Sequence, residues 1–270
     1  MNYETIVSGM KRFGSTERDI CVSGLGVQPE QVNENVIIAP WWEPKSLNGL
    51  GKVKYLSESD FSAIKVWDIT AGKTKITYIK TGIGAPVLID ALLALGVTKC
   101  KKIVFIGSVG ALDPEIGIGD IVIPEYSVCG DGASRYIAAD DLKNGDCWGE
   151  KVYPDSNFSN TVKCITKDIC DENDVKWHIG KNFSIDTVVA QFSHIDEIIE
   201  MGCNVIEMET AAAFRAAKMM NIPVAAIFSV SDNTAVNKSL ISGRTKKDND
   251  YRRRVKKKLI PKIILKAFES

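Results

Sequence analysis

The sequence predicts an α/β domain built on a mostly parallel or mixed sheet covered on both faces. Short apolar runs, among them NVIIA at 35–39, KKIVFIG at 101–107, GDIVIPE at 119–125 and VAAIFSVSD at 224–232, alternate with stretches of helical composition. Several of these runs are apolar almost throughout, as strands buried on both faces are. Polar residues gather where the runs stop: Thr81, Ser108, Asp186, Glu207, Glu209 and Asp232. In open α/β sheets ligands bind beyond the carboxyl ends of the strands, so these positions mark the expected site.

The elements follow in chain order. Residues 1–34 are an N-terminal extension of uncertain structure, read as a short helix and a loop, and 35–270 form the domain. NVIIA is a buried strand stopped by Pro40, and KITYIK at 75–80 is a second, with alternating polarity. TGIG turns the chain into an amphipathic helix, APVLIDALLALG, with Gly96 as its stop. KKIVFIG is a strand followed by a turn, SVGA; GDIVIPE and HIGKNFSID at 178–186 are further strands. NVIEME at 204–209 is strand-like, and TAAAFRAAKMMN is rich in strong helix formers. The last segment, from 244 to 268, is a helix with a basic outer face interrupted near Pro261, and its charge run reads as a solvated surface.

Whole-chain properties exclude several functions. The 270 residues contain no repeat, low-complexity tract or linker, which favours a single domain. Lys and Arg (34) balance Asp and Glu (34), which argues against a nucleic-acid partner held by bulk charge but not against a small anion. Seven widely spaced cysteines without a CxxC pair suggest neither a disulfide framework nor a metal site. Reduced thiols and the lack of a signal-peptide core give a cytoplasmic expectation. No apolar run is long enough to imply a membrane partner.

Three motifs carry candidate chemistry. The small residues of TGIGAP and FIGSVGAL let a ligand approach the backbone, and they also suit tight packing. In IEMET, Glu207 and Glu209 can accept hydrogen bonds from vicinal hydroxyls, as on a ribose, or form structural pairs at a helix start. Asp232 ends the most apolar strand, where burial makes an aspartate a general acid and where a helix cap is the alternative. His178 and His194 read as structural, and Trp41–Trp42 suit ring stacking or packing.

Taken in order, KTGIGAPVLIDALLALGVTKCKKIVFIGSVGALDPEIGIGDIVIPE, FSID, VIEMETAAAF and FSVSD resemble the nucleoside phosphorylase/nucleosidase superfamily. The resemblance implies a mixed, partly barrel-like sheet, cleavage of a nucleoside's N-glycosidic bond, a place in nucleoside metabolism such as purine salvage, and a homo-oligomer, dimer or hexamer. It implies that Glu209 holds the sugar hydroxyls, with Met208 packed on the sugar and Glu207 near base and sugar. Asp232 matches the acid that serves the leaving base, and Arg244 an arginine that assists it. Gly82 and Ser108 match turns on the nucleophile side, and Val188 stands where a base-stacking aromatic is expected. No cofactor is implied beyond phosphate as co-substrate in a phosphorylase.

The phosphate-site arginines of that superfamily fall here on Ser46, with Lys45 beside it, on Phe105 and on Phe61. Their loss leans the expectation towards hydrolysis, as in methylthioadenosine nucleosidase, with Glu43 directing water. A phosphorylase whose phosphate site uses Lys45, Lys80 or Arg244 is the alternative, and a nucleoside-binding sensor with little turnover is another.

Overall fold

The structure is a computed structural model that describes residues 1–57, 63–138, 143, 145–240 and 242–270. Phe61 therefore lies outside the described residues.

Among the described residues ten strands share one mixed sheet: β1 (Asn35–Ala39), β2 (Lys52–Tyr55), β3 (Lys65–Ala71), β4 (Thr74–Lys80), β5 (Lys102–Ala111), β6 (Ile121–Cys129), β7 (Lys151–Val152), β8 (Trp177–Ser184), β9 (Val205–Glu207) and β10 (Val224–Asn233). Strands β10, β6, β8, β9 and β5 pair in that order, and β10 pairs again with β5, closing a five-stranded barrel. From β5 the sheet continues outward as β1, β4, β3 and β2. β1 runs parallel to both β4 and β5, whereas β3 and β2 form antiparallel edges.

The helices are α1 (Tyr3–Arg12), α2 (Glu17–Leu25), α3 (Ala85–Leu93), α4 (Gly132–Ala138), α5 (Ser156–Asn173), α6 (Ile195–Glu200), α7 (Thr210–Met220), α8 (Lys246–Arg254) and α9 (Ile260–Glu269). Strand pleating divides the apolar residues between two cores. Val36 and Ile38 of β1, Ile103 and Phe105 of β5, and Ala226 and Phe228 of β10 pack towards α3 and α7. Their neighbours Ile37, Val104, Ile106, Ala225 and Ile227 pack towards α5 and α9. The alanines of α7, buried at 211, 212, 213, 216 and 217, let that helix lie close against α3 and the sheet. This is the mixed, partly barrel-like sheet that the motif order implied.

Some local expectations are corrected. SVGA is no turn: β5 runs through it to Ala111, because β10 pairs alongside over its whole length. Gly96 sits inside a 3-10 turn, Ala94–Val97, and is not a left-handed helix stop. A Cβ there would come within 2.3 Å of the Tyr3 ring, so that glycine admits α1. The N-terminal extension holds two helices rather than one; Cys21 and Leu25 of α2 are fully buried, and the Tyr3 hydroxyl donates to Leu93 O.

Pro261 does not interrupt the last helix. α8 passes through a π turn, Val255–Leu259, into α9. Proline has no N–H for the carbonyl four residues back; that carbonyl, Lys257 O, instead accepts from the Asn48 N–H at 2.9 Å.

Candidate active site

The start of α7 brings two carboxylates together by different means. Glu207 ends β9, and its Oε2 accepts from the N–H groups of Glu209 and Thr210 at 2.7 and 2.8 Å. Its Oε1 accepts from the Ser184 hydroxyl at 2.6 Å, and the Ser184 oxygen in turn accepts from Ala211 N–H at 2.9 Å. Glu207 thus satisfies the donors that a helix N-terminus leaves unpaired. Glu209, one residue before the helix, turns away and accepts from Gly84 N–H at 2.7 Å. Gly84 has φ +111°, a backbone open chiefly to glycine, which lets the turn after β4 present that N–H. Burial and the charge of Glu207 push Glu209 up to about 8, and burial raises Glu207 despite its donors.

Asp232 reaches the same cavity through a bulge. The β10–β5 register shifts between Val230 and Asp232, which sets Asp232 opposite Gly110. A Cβ on residue 110 would come within 3.0 Å of Asp232 Oδ2, so glycine makes room for the carboxyl. Burial raises the Asp232 pKa; the Ser231 hydroxyl, which donates to Oδ1, and the charges of Arg244 and Arg252 oppose that rise.

These groups line one cavity of about 410 Å³, with Trp41, Trp42, Ile83, Phe105, Ser108, Val188, Met208, Phe228, Arg244, Arg252 and Lys256 among its walls. The structure therefore brings together Asp232, Arg244, Glu207, Met208, Glu209, Ser108 and Val188. Arg244 is held by the carbonyls of Leu240, at 2.8 Å, and Ser231, at 3.4 Å. Gly82 forms the turn after β4, but its neighbour Ile83 faces the cavity instead. Glu43 is not among the lining residues; Lys80 and Lys45 hold its two oxygens at 2.8 and 2.9 Å and bring it down to about 2. His178 pairs with Asp120 and His194 with Glu197, both away from this cavity.

Among the lining residues that escaped the sequence reading are two cations. Arg252 and Lys256 belong to the basic run taken for a solvated surface, yet both turn inward. Their spacing of four, which places them on one helical face, was the available signal.

Residues 45–265 match the family model of the phosphorylase superfamily. The chain belongs to that superfamily. A uridine phosphorylase of Salmonella typhimurium is 32% identical over 89 residues, and the match spans 32% of this chain and 33% of that protein, about a third of each. The fold is that of a purine nucleoside phosphorylase from Toxoplasma gondii in complex with immucillin-H, with TM-score 0.70 and 19% identity over 90% of this chain and 92% of that one. It is also that of an AMP nucleosidase from Bacteroides thetaiotaomicron, with TM-score 0.66 and 14% identity over 94% and 96%. The proteins that share the fold thus include a phosphorylase and a nucleosidase, so the fold leaves the acceptor open.

Proposed function

We propose that this superfamily member cleaves the N-glycosidic bond of a nucleoside, with Asp232 as the acid for the departing base and Glu209 as the acceptor for sugar hydroxyls. The observation that carries the reading is the pair itself: two buried carboxyls with raised pKa values, from β10 and the start of α7, face one cavity of nucleoside size. Bond breaking leaves positive charge on the sugar and negative charge on the base. A protonated Asp232 neutralises the second, and the fixed carboxyl oxygens of Glu207 and Glu209 face the first. Met208 and Phe228 supply apolar wall, while Val188 offers the base no aromatic face.

The expectation of water rests on cations lacking at Ser46, Phe105 and Phe61 and on Glu43 as the acid that directs water. Two lysines engage Glu43 outside the cavity lining, whereas Ser108 faces the cavity beside Arg252 and Lys256. That arrangement supports phosphate as acceptor over water. The exposed apolar side chains of Trp148, Val189, Phe192 and Met201 support a homo-oligomer.

A panel of nucleosides incubated with and without phosphate, with free base and sugar product assayed, tests the reading. Base release with pentose 1-phosphate is the expected result. Binding of nucleosides with no release under either condition would mean a sensor and remove the catalytic assignment.

A further inference from the structure

We propose that Arg252, Lys256 and Ser108 form a phosphate-binding subsite delivered by the C-terminal helix. Arg252 reaches from α8 to β5, where its Nη2 donates to Ser108 Oγ at 2.8 Å. Its Nε is buried with no hydrogen-bond partner. Among the described residues no carboxylate pairs with it, although other half-buried cations are matched: Arg215 with Glu150, Lys80 with Glu43 and Lys238 with Asp248. Lys256 lies on the same wall with its ammonium 5.3 Å from the Trp42 ring centroid. Burial lowers the pKa of both; the charge of Arg244 adds to this for Arg252, and that of Arg252 for Lys256. Like charges gathered in a partly dry wall repel one another unless an anion joins them.

Asp232 is the carboxyl whose charge Arg252 feels. An acid must be protonated to give its proton, so in the reactive state Asp232 offers no counter-charge. A dianion supplies it. The donors also suit a tetrahedral oxyanion: a planar guanidinium fork, a hydroxyl and a mobile ammonium. The positions where the resemblance places arginines hold Ser46 and Phe105, and Arg252 comes to Ser108 from the opposite end of the chain.

The phosphate is either free, as the acceptor, or an ester on the substrate. As acceptor, hydrogen phosphate forms the O–C1′ bond while the C1′–N bond breaks. The electron pair goes to the base, Asp232 gives the base its proton, and the phosphate's proton restores Asp232 through solvent. The products are a pentose 1-phosphate and the neutral base. This chemistry rests on the glycosidic-cleavage reading, whereas the binding of phosphate does not.

The test separates the two. Phosphate, against chloride at equal ionic strength, should raise the Tm of the wild-type protein and of Arg253→Gln, whose side chain faces solvent and pairs with Asp250. It should not raise that of Arg252→Gln, and Arg252→Lys, which keeps the charge and loses the fork, should fall between. No wild-type response, or an equal response in Arg252→Gln, overturns the subsite. If cleavage requires added phosphate, Arg252→Gln should raise the phosphate KM about ten-fold or more while the nucleoside KM stays within about two-fold, and the acceptor is the source. If cleavage needs no phosphate but favours nucleoside monophosphates, the same loss should fall on their KM, and the ester is the source. Phosphate-free cleavage that neither favours nucleoside monophosphates nor changes in Arg252→Gln removes both sources and counts against the subsite. Phosphate stabilisation without cleavage of any substrate sustains the subsite and removes the catalytic reading.

Discussion

Asp232 and Glu209 share a cavity, and their neighbours make them chemically different. Asp232 sits among a hydroxyl and two arginines, so replacing it with asparagine keeps the shape and removes the proton. Asp232→Asn should lower kcat by about 10²–10⁴, the span of general-acid catalysis, with nucleoside affinity changed only a few-fold. Titration calorimetry beside steady-state rates checks this, and equal losses in both would count against the acid. Glu209 holds its proton more tightly folded, at about 8, than its ordinary value of 4.5. The folded state then binds more protons than the unfolded one between those values, so its share of stability is present below 4.5 and lost as pH rises towards 8. Wild-type Tm should fall across that range more steeply than that of Glu209→Gln. The sequence could not separate Glu207 from Glu209, since both stand at one strand end. What separates them is the Ser184 hydroxyl and the Gly84 N–H, brought in from other parts of the chain.

At the scale of elements, α7 depends on a carboxylate that precedes it. Glu207→Ala leaves the N–H groups of Glu209 and Thr210 buried without their acceptor. Urea denaturation should show a loss of about 1–3 kcal/mol with an unchanged m-value; a smaller loss would mean that water replaces the carboxylate. β1, β4 and β10 were legible because their apolar residues leave few other options. The end of β5 was not, because Gly107 and Gly110 read as turn residues. In the fold Gly107 lies against the Phe228 ring and Gly110 makes room for the Asp232 carboxyl beside a continuing strand. α5, the longest helix among those described, was missed because its buried stripe of Phe158, Val162, Thr166 and Ile169 includes a threonine and is interleaved with charge.

At the scale of the whole molecule, the closed barrel orders the stability of the strands. All ten residues of β10 are buried, and β10 pairs on both edges, whereas all four residues of β2 are exposed on the outer rim, where Lys52 and Lys54 discourage pairing with other chains. Amide exchange should therefore be slowest in β5 and β10 and fast in β2; comparable rates would mean that the barrel opens independently of the global transition. The architecture was readable from strand–helix alternation and motif order, but the inward face of the basic helix was not, because a charge run carries no sign of which side meets a cavity. The Asn48–Lys257 bond gives that helix a mechanical partner. It fastens the loop that follows Trp41 and Trp42 to the helix that bears Arg252 and Lys256, so the aromatic and the basic walls of the cavity are joined through backbone as well as through side chains. The wall that Val188 and Gln191 supply belongs to a separate piece of chain, the short turn Ala190–Ser193 and the well-exposed Val189 before it, so the cavity is bounded by one tied wall and one short surface turn.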